Sequence, residues 1–198
     1  CFVCGEELHE KQDNYSQEHV FPKWLLNKFS LWNESIILLN GSRIRYKDIK
    51  IPCCKLCNNV HLSSIELEVK NAFTDGYEAF CKLDKGRLAL WLIKIYLGML
   101  RKETALNLNR SFPGSRNILE PDELFPYRVL QAILKGVSKP IDFRCNSSEV
   151  PASIFIYKVK DGTGPDFNYF DTWSSMCLKL KIGQIGLLAV FDMGVRCQ

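Results

Sequence analysis

Two cysteine pairs constrain this chain more than any other feature of its sequence. The first pair is "CFVC" at residues 1–4, and the second is "CKLC" at residues 54–57. A CxxC turn places two thiolates side by side, and two such turns supply the four soft ligands that a tetrahedral structural zinc ion prefers. The predicted zinc ligands are Cys1, Cys4, Cys54 and Cys57.

Other uses of these cysteines stay open at this point. The chain has nine cysteines, an odd number, and no signal-peptide pattern, so we expect a reducing cytoplasm rather than a disulfide framework. The pairs could instead be unrelated buried or redox cysteines. Cys53 competes with Cys54, which we prefer because only Cys54 forms a CxxC with Cys57. Cys1 could also act as an N-terminal nucleophile.

The composition is that of a folded domain. Hydrophobic residues make up 46% of the 198 positions, which is enough to bury a core. The longest apolar run, at 88–102, is interrupted by Lys94 and is too short to cross a bilayer, so we predict a buried helix and no membrane association. Because the chain starts with Cys1 rather than Met, we expect it to begin inside a longer or processed polypeptide.

The patterns of residues change near residue 75. Before it, we predict a strand at 16–21, a helix starting at Pro22, a hairpin turning at Asn40-Gly41 and a helix over 59–73. After it, helical patterns continue to about residue 137. Strand-like runs then follow, namely "IDFRC", "SIFIYKVK", "MCLKLKI" and "IGLLAVFDM". We therefore divide the chain into residues 1–75 and an accessory helical plus β-strand domain at 76–198.

Three polar positions near the cysteine pairs suggest a second metal site. Glu18 directly precedes His19, and Asn58 directly follows the second pair. On an α-helix, His61 would share a face with Asn58. Oxygen and imidazole ligands from Glu18, Asn58 and His61 suit a hard divalent cation. Glu18 and His19 can act at one centre only if their strand kinks, because neighbours on a strand face opposite sides.

These residues together resemble the HNH, or His-Me finger, nuclease family, and most closely its phage recombination endonuclease VII type. The resemblance consists of the first CxxC, the "EH" pair and the second CxxC followed by Asn58, and it covers about residues 1–75. It implies a zinc-stapled ββα-metal finger. The residue patterns add an inserted helix and hairpin and a mixed helical and antiparallel-β accessory domain, so the predicted fold class is α+β.

The resemblance also implies a function. His19 would be the general base, and Glu18 and Asn58 would bind a catalytic magnesium or manganese ion. The expected activity is metal-dependent hydrolysis of DNA, giving 5′-phosphate and 3′-hydroxyl ends. The chain departs from the pattern in having Glu18 where the family usually has Asp, and Asn40 is a weak candidate for the middle Asn. The alternative is an inactive zinc-structured module that binds nucleic acid or protein.

Basic residues predict a DNA-binding surface close to this site. In "RIRYKDIKI" alternate residues of a strand would share one face, which would align Arg43, Arg45 and Lys47. The full set of predicted phosphate contacts is Arg43, Arg45, Lys47, Lys50 and Lys55. RNA is not excluded as a substrate. The 76–198 region would bind DNA, a protein partner or a second copy, and family analogy suggests phage defence.

Overall fold

The computed structural model describes residues 1–138 and 152–191, apart from residues 110, 113, 161 and 163. These residues form an α+β fold whose sheets are antiparallel. The predicted strand "IDFRC" (141–145) lies outside the described residues, and so does the end of "IGLLAVFDM".

The first half of the chain is organised around two strands that are distant in sequence. The strands β1 (Tyr15–His19) and β4 (Lys50–Cys54) pair antiparallel in a one-to-one register without a bulge. Between them the chain inserts helix α1 (Lys23–Lys28) and the hairpin of β2 (Ser35–Ile37) and β3 (Arg43–Arg45). The predicted Asn40-Gly41 turn is confirmed, and Gly41 has the positive φ of 76° that this turn requires.

One predicted alignment in this region is wrong. The run "RIRYKDIKI" is not a single strand, because β3 ends at Arg45 and a 3-10 turn (Tyr46–Asp48) separates it from β4. Burial of Tyr46 and Ile49 inside the core explains the turn. Arg43 and Arg45 therefore lie on one exposed face of β3, whereas Lys47 belongs to the turn and does not align with them.

Helices follow the second cysteine pair. A π-helical turn (Cys57–Leu62) leads into α2 (Ser63–Thr74), and α3 (Tyr77–Cys81) precedes the long α4 (Lys85–Glu103). Asp84 caps α4 by accepting a hydrogen bond from the Arg87 backbone N–H at 2.8 Å. A 3-10 segment (Pro121–Tyr127) then runs into α5 (Arg128–Lys135), and a short 3-10 turn (Gly136–Ser138) follows.

The C-terminal part forms one four-stranded antiparallel sheet of order β5-β8-β7-β6. Its strands are β5 (Ser153–Lys158), β6 (Phe167–Thr172), β7 (Cys177–Ile182) and β8 (Ile185–Val190). Sequence reasoning missed β6. Its two inward residues, Phe167 and Tyr169, pack edge-to-face against Phe21, which joins this sheet to the first half of the fold.

Helix α4 is the centre of the molecule. From Leu88 to Leu100 its residues are buried on every side except at the half-buried Leu90, as expected for a helix that packs on several layers. Gly98 lets α4 approach the segment directly after β1, since an added Cβ would lie 2.9 Å from a methyl group of Val20. The buried residues from Phe2 to Phe191 form one hydrophobic cluster, so the parts before and after residue 75 share a core. Within the described residues, no helix is long and apolar enough to cross a membrane.

Candidate metal centre and catalytic cleft

The four predicted zinc ligands lie together. The Sγ atoms of Cys1, Cys4, Cys54 and Cys57 are all within 4.8 Å of one another. Zinc–sulfur bonds of about 2.3 Å in a tetrahedron place sulfurs roughly 3.8 Å apart, and the Cys4 and Cys54 sulfurs are 3.9 Å apart. This cluster could therefore hold a structural metal ion such as zinc.

The sequence folds locally so that both cysteine turns meet β4. The Phe2 N–H donates to the Pro52 carbonyl at 2.9 Å, which fixes the first turn beside the strand. The Gly5 N–H closes that turn on the Cys1 carbonyl at 2.9 Å, with Gly5 at a φ of 80°. Of the two candidates in the second turn, Cys54 belongs to the four-thiol cluster and Cys53 does not.

The chemistry of the buried thiols fits a cation. Burial raises the pKa of Cys57, and the adjacent Cys54 and Cys4 thiols raise it further. The Cys57 thiol would therefore stay protonated by itself, whereas a bound metal ion deprotonates a coordinating thiol. Cys53 is fully buried at 3.8 Å from the Cys1 sulfur, but it does not belong to the four-thiol cluster.

A second polar centre lies where β1 meets α2 and α4, and its middle is Lys94. The Lys94 ammonium is 2.5 Å from Glu18 Oε1 and 2.8 Å from Glu66 Oε1. It also donates to the backbone carbonyls of His19 at 2.7 Å and Val20 at 3.1 Å. One side chain of α4 thus ties the end of β1 to α2.

The charge states of Glu18 and Lys94 depend on their burial and on the ion pair between them. Glu18 and Lys94 are 6% and 1% exposed. Burial raises the pKa of Glu18, and Lys94 lowers it in part. For Lys94, burial by itself lowers the pKa, but Glu18 and Glu66 more than reverse this and raise it above its ordinary value. We therefore assign a charged ammonium to Lys94, as a buried ion pair requires.

His19 is the last residue of β1, so the strand ends where His19 and its neighbour Glu18 reach one cavity. Its ring makes an edge-to-face contact with Trp32, with centroids 6.1 Å apart. Burial, together with the positive charges of Lys50, Lys23 and Lys94, lowers the pKa of His19 to about 4. The imidazole is thus neutral at cellular pH. The kink that we expected between Glu18 and His19 is wrong, because β1 keeps its regular register with β4 through both residues.

Asn58 lies on the π-helical turn, immediately after the last residue of the cysteine cluster, Cys57. Its Nδ2 donates to Ser16 Oγ at 3.0 Å and to the Gln17 carbonyl at 3.3 Å, both on β1. The cysteine turn and β1 thereby fix the Asn58 side chain. With both amide hydrogens directed to β1, Oδ1 is the atom that remains for a ligand.

The structure brings three of the four predicted catalytic residues into one cleft. Glu18, His19 and Asn58 line a cavity of about 420 Å³ between β1 and α2, and His61 does not. The prediction that Asn58 and His61 share a helix face is wrong, because the π turn has wider i→i+5 spacing and rotates residues three apart away from each other. The His61 Nε2 is buried without a hydrogen-bond partner.

Sequence reasoning missed several residues that line the same cleft. Glu66 adds a second carboxylate, and the exposed Lys23 and Lys70 lie at its rim. Glu66 lies in the first turn of α2, beyond the π turn, so α-helical spacing from Asn58 gave no signal for it. The Glu66 contact with Lys94 comes from a distant helix, so no local pattern could indicate it.

The oxygen atoms of the cleft suit a hard cation. Each Glu uses Oε1 for Lys94, which leaves the second carboxylate oxygens and Asn58 Oδ1 as donors. In the part of the chain that the structure describes, only the four cysteines bring three or more His, Cys, Asp or Glu ligand atoms within 4.8 Å of one another. A cation in the cleft would therefore complete its shell with water and substrate phosphate, as magnesium usually does.

The predicted phosphate-binding residues are dispersed. Arg45 forms an ion pair with Asp48 at 2.8 Å, and Lys47 donates to Asn33 at 3.2 Å. Arg43 and Lys55 are exposed, whereas Lys50 is half-buried opposite His19 on β4. Of this group, only Lys50 is placed directly beside the candidate catalytic residues.

Comparison with protein-family models, with curated proteins and with solved structures found no match to this chain.

Proposed function

We propose that the protein is a metal-dependent endonuclease built on a zinc-stapled ββα-metal finger. The observation that carries this proposal is the cleft lined by Glu18, His19 and Asn58. In this proposal, β1, β4 and the helix after the second cysteine pair would be the two strands and the helix of such a finger. The cysteine cluster fixes the start of that helix next to β1.

The residues of the cleft have the chemistry for phosphodiester hydrolysis. His19 is neutral, so its imidazole can take a proton from water that attacks the phosphorus. Oxygen atoms of Glu18, Glu66 and Asn58 would hold a magnesium or manganese ion, which stabilises negative charge on the phosphate and on the leaving 3′ oxygen. Glu66 replaces His61 in this assignment, because Glu66 lines the cleft.

The rim of the cleft supports a nucleic-acid substrate. Lys23 and Lys70 are exposed there, and lysines at such positions contact backbone phosphates without reading sequence. DNA is the substrate that we propose, with 5′-phosphate and 3′-hydroxyl products. A parallel assay on RNA separates the two substrates.

One observation favours a second candidate function, an inactive zinc-structured module that binds nucleic acid. Lys94 neutralises Glu18 and Glu66 in part, so the cleft attracts a divalent cation less strongly than two unpaired carboxylates would. A chain that had lost catalysis would still keep the cysteine cluster and the basic rim.

Nicking of supercoiled plasmid in magnesium or manganese distinguishes the two functions. We expect the wild type to cut, the Asn58→Ala variant to lose most of the activity, and the His61→Ala variant to cut within about threefold of the wild type. Binding of DNA without cleavage in either metal supports the module. If the His61→Ala variant folds but loses activity, His61 would be assigned as a ligand of the catalytic metal ion.

A further inference from the structure

We propose that a second pocket, beside the first cysteine turn, binds a single-stranded nucleic acid through its phosphates and one base. The pocket has a volume of about 330 Å³ and lies between the cysteine turn, α4 and α5. It shares no lining residue with the cleft. This site is additional to the proposed nuclease centre and does not require that the cleft cut the strand.

Positive charge is the first property of this pocket. Arg101 from α4 and Arg128 and Lys135 from α5 line it, and all three are exposed. Asp122 is the one acid in its lining. Among the described residues, none of these three cations has a carboxylate within ion-pair distance. A concave surface with this excess of positive charge concentrates polyanions.

The geometry of Arg128 matches a phosphate-binding role. Its guanidinium carbon lies 3.3 Å above the centre of the Phe125 ring. Stacking orients the guanidinium plane and leaves its N–H edges for paired hydrogen bonds to a phosphate. Phe125 is 60% exposed, so part of its ring is accessible to a ligand.

An aromatic ring beside cations indicates a single strand rather than a duplex. Single-stranded sites combine a basic groove with aromatic side chains on which bases stack, and a duplex hides the faces of its bases. Phe125 supplies the ring, and Phe2 and Tyr127 add apolar lining behind it. We therefore assign the base to Phe125 and the flanking phosphates to Arg101 and Arg128.

The cysteine turn is part of the construction of this pocket. Gln131 Nε2 donates to the Phe2 carbonyl at 2.8 Å, which fixes α5 against the turn. Lys135 lies so close to Gly5 that an added Cβ would be 3.2 Å from its Nζ. The cysteine cluster thus positions α5 and its cations. It also positions the start of the helix that follows the second cysteine pair.

Fluorescence anisotropy with a labelled oligo-dT of about twelve nucleotides tests the proposal. The assay uses the whole chain in calcium, without magnesium or manganese, over a series of salt concentrations. We expect the Arg101→Gln/Arg128→Gln variant to raise Kd about tenfold or more and to reduce the slope of log Kd against log salt by about 1.4, about 0.7 for each lost contact. Phe125→Ala should raise Kd about fivefold or more.

Arg116→Gln is the matched control, because Arg116 is exposed and lines neither the pocket nor the cleft. An unchanged Kd in the double variant, an equal loss in Arg116→Gln, or failure of the wild type to bind oligo-dT would each overturn the proposal. So would a loss confined to duplex binding. Plasmid nicking is read separately, so an inactive cleft with a functional pocket, and the reverse, are distinguishable outcomes.

Discussion

The Lys94 ammonium lies 2.5 Å from a carboxylate oxygen of Glu18, and the two residues come from parts of the chain on either side of the predicted boundary at residue 75. The same ammonium contacts Glu66 and the backbone of β1. The candidate catalytic strand is therefore held in place by a helix that the sequence assigns to an accessory domain. Folding of the cleft and of α4 should be inseparable.

Lys94→Met should lower the free energy of unfolding by about 3–5 kcal/mol, because it leaves two carboxylates without their buried partner. Urea denaturation measures this loss. Adding Glu18→Gln to the variant should recover part of the stability, since one uncompensated charge is removed. Lys102→Met is the control, and a similar small effect in both single variants would contradict the assignment.

Gly98→Ala tests the close approach of α4 to the segment directly after β1. The new methyl group would clash with Val20, so we expect a net destabilisation of about 1–2 kcal/mol despite the better helix propensity of alanine. A double-mutant cycle with Val20→Ala checks the cause. The double variant should be less destabilised than the sum of the two single variants by about 1 kcal/mol. Strictly additive effects would mean that the contact with Val20 does not cause the destabilisation.

Zinc content tests the register of the second cysteine turn. The wild type should contain one zinc ion per chain by elemental analysis, and Cys54→Ala should lose it and unfold at a lower temperature. Cys53→Ala should retain the ion, because its sulfur is outside the four-thiol cluster. Loss of zinc from the Cys53 variant, with Cys54→Ala still loaded, would reverse the ligand choice.

Titration of Glu103 should make the free energy of unfolding depend on pH. Burial raises its pKa to about 7, although the Leu39 N–H that donates to it at 2.9 Å lowers the pKa in part. A carboxyl whose pKa is raised on folding contributes stability below its unfolded pKa, near 4.5, and that contribution disappears as the pH rises through 7.

Glu103→Gln keeps an acceptor for Leu39 and removes the titration. Between pH 5 and 7, the wild type should therefore lose stability relative to the variant by up to about 1.4 kcal/mol per pH unit. Chemical denaturation at several pH values measures the difference. Parallel stability curves for the two proteins would show that Glu103 does not titrate in this range.

Local sequence patterns were sufficient for part of the fold. The CxxC spacing indicated the four-thiol cluster, and Asn40-Gly41 indicated the hairpin, because each depends on neighbouring residues alone. The break at Arg45 was missed, since it arises from burial of Tyr46 in the core. Strand β6 was missed because its alternation is short and depends on packing against Phe21.

The residues of the candidate site could also be predicted only in part. Glu18, His19 and Asn58 were identified by their spacing from the cysteines, and they do line one cleft. The α-helical face that would have joined His61 to Asn58 was lost in the π turn. The role of Lys94 depends on a contact between residues far apart in sequence, and an isolated lysine in an apolar run does not indicate its partner.

The most direct test of the account is plasmid nicking by His19→Ala, with and without added imidazole. If His19 is the general base, the variant should cut about 10²–10⁴ times more slowly than the wild type, and imidazole should restore part of the rate by accepting the proton. Cleavage by the variant at the wild-type rate, independent of imidazole, would contradict the account.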